Sequence, residues 1–120
     1  MEGIFLLKKS DQMVVELREQ MRGGQGTIEI KNIFQVEELK GKVRLFAEIT
    51  LPSGASIGFH HHEQEEEVYY FLSGVGIVDD NGITREVKAG EVLLTGDGAG
   101  HAVRNTGTEL LKILAVILLY

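Results

Sequence analysis

The chain has 120 residues, a net charge of −6, four histidines and no cysteine. That length gives one domain with one core, and the acidic balance argues against a nucleic-acid backbone as partner. The missing thiols exclude disulfides and thiolate metal sites, which leaves imidazole and carboxylate as metal ligands. The opening MEGIFLLKKS has too short an apolar run for a signal peptide and no basic region before it. The longest apolar run, Ile113 to Tyr120, is too short to span a bilayer. No membrane association and a cytoplasmic location are therefore expected. Ile4, Phe5, Leu6 and Leu7 suggest an N-terminal strand or arm.

Ser10–Met21 has helical spacing at Met13, Val14, Leu17 and Met21, with Ser10 as a possible cap and Gly23 as a stop. Val14-Val15-Glu16-Leu17 fits a strand equally well, and the β character of the remaining chain favours the strand. Further strands are predicted at Thr27–Phe34, Val43–Leu51, Ser56–His62, Glu67–Leu72, Val75–Asp79, Ile83–Val87, Glu91–Thr95, Ala102–Asn105 and Leu110–Leu119. A single helical turn fits Gln35–Lys40. Asn81-Gly82 between two apolar runs marks a hairpin, because both central residues of that turn favour φ > 0. Short strands at this density indicate an all-β sandwich or small barrel. Several of them, such as VRLFAEITL and KILAVILL, are apolar on both faces.

Three of the four histidines are consecutive, at His60, His61 and His62, and four of the next five residues are glutamate. Strand side chains alternate between faces, so His60 and His62 share a face and His61 points away. Glu67 opens the next strand within reach of that face. Glu63, Glu65 and Glu66 fall in the link and are expected to face solvent. A helix would instead align His60, Glu63 and Glu67, but Gly54, Gly58 and Gly74, with Val68-Tyr69-Tyr70-Phe71 between, argue against it. His101 follows a glycine-rich turn and sits at a strand start, as Glu67 does.

These residues resemble the two motifs of the cupin superfamily. The first is glycine, five residues, His-x-His, three or four residues, Glu, six residues and glycine; Gly54, His60, His62, Glu67 and Gly74 fit it. The second is glycine, five residues, Pro-x-Gly, two residues, His, three residues and Asn; Gly90, Gly98, His101 and Asn105 fit it, with Gly96 in the proline position. The resemblance implies a cupin-type double-stranded β-helix, or jelly-roll barrel, over residues 21–120, with residues 1–20 as the arm. It also implies a metal site of His60, His62, Glu67 and His101 in the barrel mouth. The likeness is greatest to small single-domain cupins described as oxalate-decarboxylase-like.

Three imidazoles and one carboxylate suit one divalent transition metal per barrel: Mn, Fe, Ni, Co, Cu or Zn. An octahedral ion would keep two open positions, which suit a small chelating organic acid or carbonyl compound. The implied activities are decarboxylase, dioxygenase or isomerase chemistry, with a non-catalytic binding or sensing module as the other class. Tyr69 shares a face with Glu67 and points either at the site or into the core. Arg44 shares a face with Phe46 and Glu48, which would be pocket lining, where Arg44 holds a carboxylate, or an outer surface. No residue is assigned as proton donor. The doubly apolar strands predict a homodimer, with the Ile4–Leu7 segment crossing between subunits.

Overall fold

The computed structural model describes residues 3–120; Met1 and Glu2, the start of the expected arm, lie outside the described residues. Among the described residues, the ten strands are β1 (Val14–Glu19), β2 (Thr27–Asn32), β3 (Val43–Leu51), β4 (Ser56–His61), β5 (Glu65–Ser73), β6 (Val75–Asp80), β7 (Ile83–Lys88), β8 (Val92–Gly96), β9 (Gly100–Asn105) and β10 (Leu111–Leu119). They form a six-stranded sheet in the order β1-β2-β3-β10-β5-β8 and a four-stranded sheet in the order β4-β9-β6-β7. All pairings are antiparallel. The all-β sandwich indicated by strand density is observed, and it is the double-sheet jelly roll that the cupin resemblance implies.

The ambiguous N-terminal segment resolves as a strand. Val14–Glu19 pairs with β2 along its whole length, from Val14 opposite Asn32 to Glu19 opposite Thr27. Ladder hydrogen bonds to β2 outweigh the helical spacing of its apolar residues, which stay largely exposed. Short 3-10 turns flank it at Ser10–Gln12 and Met21–Gly23. Residues 3–9, expected to include a strand, take no regular structure and leave Ile4, Phe5, Leu6 and Leu7 exposed. The turn expected within Gln35–Lys40 is the 3-10 turn Val36–Glu38.

The core lies between the sheets. Ile28 and Ile30 of β2, Ala47, Ile49 and Leu51 of β3, Tyr69 and Phe71 of β5, and Ile113 and Ala115 of β10 pack against Ile57, Val78 and Val103 of the smaller sheet. Burial of an Ile or Phe side chain contributes about 1.5–3 kcal/mol. The outer face of the larger sheet is also apolar. Tyr70 stands opposite Val92 and Val68 opposite Leu94, with Leu72 on the same face; Tyr70, Leu72, Val92 and Leu94 are exposed.

One side chain closes the end of the sandwich away from the histidines. Asn105 is buried on β9 and donates from Nδ2 to the carbonyls of Leu51 and Glu109, both at 2.8 Å. Its Oδ1 accepts from the Gly107 N–H at 2.9 Å. The asparagine of the second motif thus ties β9 to β3 of the other sheet. Asn105→Ala strands buried backbone groups, and we expect a loss of about 3 kcal/mol in urea unfolding with an unchanged m-value.

Candidate metal centre

Backbone irregularities decide which side chains enter the mouth. The β4–β9 pairing runs from Ile57 opposite Val103 to His60 opposite His101, with a register shift between them. Two residues of β4 thus fall opposite Ala102 alone, as in a β-bulge. Simple alternation from the buried Ile57 would send His60 outward; the extra residue resets the phase. His60 becomes half-buried, His61 is exposed and His62 is buried. Gly58 sits in this bulge, and a Cβ there would come within 1.9 Å of the Arg22 carbonyl oxygen.

β5 begins at Glu65, two residues earlier than expected, because its ladder continues to Leu119 on one side and, at Glu66, to Gly96 on the other. Glu65, Glu67, Tyr69 and Phe71 then alternate inward. The expectation that Glu65 faces solvent is therefore wrong: it is buried. Gly96, in the motif's proline position, permits this pairing, since a Cβ there would stand 2.6 Å from that of Glu66.

The imidazoles of His60, His62 and His101 form a near-equilateral triangle, with each pair of ring centroids 4.8 Å apart. Their Nδ1 atoms are engaged at the periphery. His60 Nδ1–H donates to the Gly58 carbonyl at 2.8 Å, and His62 Nδ1–H to Glu65 Oε2 at 2.5 Å. His101 Nδ1 meets Thr95 Oγ1 at 2.9 Å. Glu67 Oε1 lies 2.9 Å from His62 Nε2 and 3.0 Å from His101 Nε2, and those two nitrogens are 3.1 Å apart. The four residues can each offer one donor atom within 4.8 Å of all the others.

This donor set fits a metal ion. Neutral imidazoles that donate through Nδ1 present lone pairs at Nε2, and here those lone pairs converge with a carboxylate oxygen. A proton on His62 can serve some of these contacts; a cation serves all of them. Two ligands at right angles, each about 2.1 Å from one ion, stand about 3.0 Å apart. Peripheral Nδ1 partners that fix tautomer and ring orientation are the usual support of histidine ligands.

Electrostatics follow from these contacts. Burial pushes the Glu67 carboxyl upward, but hydrogen bonds from His101 and His62 outweigh it and hold the group below its ordinary value. Burial lowers His62, yet its bonds to Glu67 and Glu65 raise it overall. For His60 burial prevails over the Gly58 hydrogen bond, and its pKa falls. The Arg44 guanidinium holds Glu65 at about 2, against burial and helped by His62.

Arg44 does not wait for a ligand carboxylate. Its Nε and Nη2 donate to the two oxygens of Glu65 at 2.9 and 2.8 Å. A bulge explains its position: Leu45 pairs with Ile117 and Val43 with Leu118, so Arg44 is the extra residue. It leaves the face that parity shared with Phe46 and Glu48 and turns toward β5, where it lines the cavity, as the pocket-lining alternative expected, but with Glu65 as its carboxylate. Tyr69 is buried, and its ring stacks on His101 with a 4.6 Å centroid separation and a 17° interplanar angle. Burial, the Glu67 charge and a hydrogen bond to that carboxylate hold its phenol well above the ordinary value. Tyr69 therefore serves both expected roles, as core aromatic and as neighbour of the site. Glu65 and Thr95 were missed by sequence reasoning; the parity Glu65 shares with Glu67 was the available signal.

A family profile describing the cupin domain matches residues 47–117. The chain belongs to the cupin family. It is 42% identical, over 98% of both chains, to a Thermotoga maritima protein named oxalate-binding protein. It superposes with a TM-score of 0.91 on the crystal structure of a predicted oxalate decarboxylase from the same organism, again at 42% identity, covering 96% of this chain and 100% of that one. A polyketide cyclase from Streptomyces resistomycificus has the same fold, with a TM-score of 0.75 at 15% identity, covering 97% of this chain and 80% of that one.

Glu65→Gln should destabilise the metal-free protein by about 2 kcal/mol at neutral pH. A carboxyl lowered from 4.5 to about 2 on folding contributes stability that is complete above its unfolded value and lost as pH falls through the folded one. The deficit of the variant should thus be constant above about pH 5 and shrink below pH 4 in a urea-unfolding series. Glu63→Gln, on the exposed turn, should stay within about 0.5 kcal/mol of the wild type throughout.

Proposed function

We propose that this cupin binds one divalent transition metal through His60, His62, Glu67 and His101 and uses it to hold a small chelating organic acid. The observation that carries the reading is the convergence of two Nε2 atoms and a carboxylate oxygen within 2.9–3.1 Å of one another. The oxalate named for the 42%-identical relative supports the ligand class. The metal, one of Mn, Fe, Ni, Co, Cu or Zn, supplies Lewis acidity to a coordinated oxygen. Around it, Glu65 and Arg44 keep His62 oriented, Thr95 orients His101, and Tyr69 closes the floor against water.

A metalloenzyme of the decarboxylase, dioxygenase or isomerase type and a non-catalytic binding module share this site. Turnover of a panel of chelating acids with each metal restored in turn separates the two.

His60→Ala, His62→Ala and His101→Ala should each remove most of the bound metal, measured by elemental analysis, while His61→Ala keeps it. Oxalate should bind the metal-loaded protein at least tenfold more tightly than the stripped protein. Its affinity should fall as pH drops through the histidine range, since a protonated imidazole cannot ligate. Equal oxalate affinity in the two forms would defeat the proposal.

The partner we infer is a second copy of the chain. The outward Val68, Tyr70, Leu72, Val92 and Leu94 form a continuous apolar face of a kind that monomers seldom leave bare. The exposed Ile4–Leu7 segment supplies a second apolar surface. A dimeric mass at micromolar concentration is expected, with Leu94→Glu shifting it to the monomer; a monomeric wild type would refute the pairing.

A further inference from the structure

The cavity lined by His60, His62 and Glu67 is larger than a two-carbon diacid requires. Its volume is about 560 Å³. Even if each of oxalate's six heavy atoms took the ~30 Å³ share of a liquid water, together they would fill less than roughly 200 Å³. Met21, Ile30, Leu45 and Ile57 give the remaining space apolar walls, which suit a longer carbon chain.

The charges on the wall are mostly matched. Glu16 accepts from Arg18 at 3.1 Å and from Asn32 at 2.9 Å. Arg44 is committed to Glu65, and Glu67 to the ligand cluster. Among the described residues lining the cavity, Glu19 and Arg22 have no ionic partner. Both are exposed, and Glu19 ends β1. Arg22 belongs to the turn between β1 and β2, and that turn is fastened to β4.

The fastening is specific. Ser56 N–H donates to the Gln25 carbonyl at 2.9 Å, and Gln25 N–H to Ser56 Oγ at 2.8 Å. A Cβ at Gly24 would stand 2.2 Å from the Ser56 carbonyl oxygen, and one at Gly58 would stand 1.9 Å from that of Arg22. Held this way, Gln20 (φ 48°) and Arg22 (φ 55°) adopt left-handed backbone, which side chains disfavour and which persists only when the surroundings impose it. Arg22 and Tyr69 line the same cavity as His60, His62 and Glu67.

Resting on the metal-dependent acid-binding reading above, we propose that Arg22 is an anion-binding residue of this pocket. It takes the far carboxylate of a dicarboxylic acid longer than oxalate, whose near end meets the metal cluster. The guanidinium fork matches a carboxylate through two parallel N–H donors. The sequence carries no sign of this role, because nothing in the order of residues marks Arg22 as lining one cavity with His60 and His62.

The test is calorimetric titration of metal-loaded wild type and Arg22→Asn with oxalate, pyruvate and 2-oxoglutarate, with metal content measured in parallel. Asparagine tolerates the left-handed backbone, so the turn should survive the substitution. Wild type should bind 2-oxoglutarate at least tenfold more tightly than pyruvate, and the variant should lose that advantage while its pyruvate affinity and metal content stay within about twofold. Arg22→Lys should keep part of the advantage. Unchanged 2-oxoglutarate affinity in Arg22→Asn, with oxalate still bound, overturns the role of Arg22 and leaves the metal reading standing. An equal loss for all three acids in the variant also overturns it, by showing general attraction in place of a far-end contact. Failure of loaded wild type to bind any of the three overturns both.

Discussion

The constraint on which this structure turns is the crowding of lone pairs at the barrel mouth. His62 Nε2, His101 Nε2 and Glu67 Oε1 lie within 3.1 Å of each other on buried side chains. Such an arrangement is unfavourable unless positive charge sits among the acceptors. The surrounding residues hold it open to that charge. A carbonyl, a carboxylate and a hydroxyl take the three Nδ1 positions, so the rings cannot turn away. Glu65 in turn is fixed by a bidentate arginine. The two glutamates two residues apart on β5 therefore have different work: Glu67 faces the centre and Glu65 braces it.

Both sheets are needed to build the cluster. The smaller sheet and the turn that follows β4 bring the histidines, and the larger sheet brings Glu67 with its supports Glu65, Thr95 and Arg44. Neither sheet contains a complete site. The large apolar core between them, from Ile28 to Ile113, is what holds the two halves at bonding distance. Its dense packing resists displacement, so ligand geometry is inherited from the core.

Much of this was legible in the order of residues. The spacing of glycines and β-branched residues indicated the strands, and the parity of His60 and His62 indicated their common face. His101 and Glu67 could be placed at strand starts, and motif spacing joined all four. What remained hidden arose where strict alternation breaks. The bulge at Gly58 sets the phase of His60, and the bulge at Arg44 redirects a side chain that parity assigned elsewhere. Glu65 was misplaced because a run of glutamates reads as a solvated link, whereas pairing to Leu119 keeps it in the strand. Residues 3–9 were read as partly strand because they are apolar, but they pair with none of the described strands.

β9 is only six residues long, yet it carries His101 near one end and Asn105 at the other. The histidine meets Glu67 of the opposite sheet, and the asparagine holds the Leu51 carbonyl of that same sheet. In mechanical terms the strand is a tie rod, anchored at the mouth and at the floor of the sandwich. A slip of one residue would release both anchors together, which makes intermediate registers costly and the choice of register close to all-or-none. Tension applied at the mouth passes along one continuous backbone to the floor, so the two ends of the molecule share a single mechanical fate.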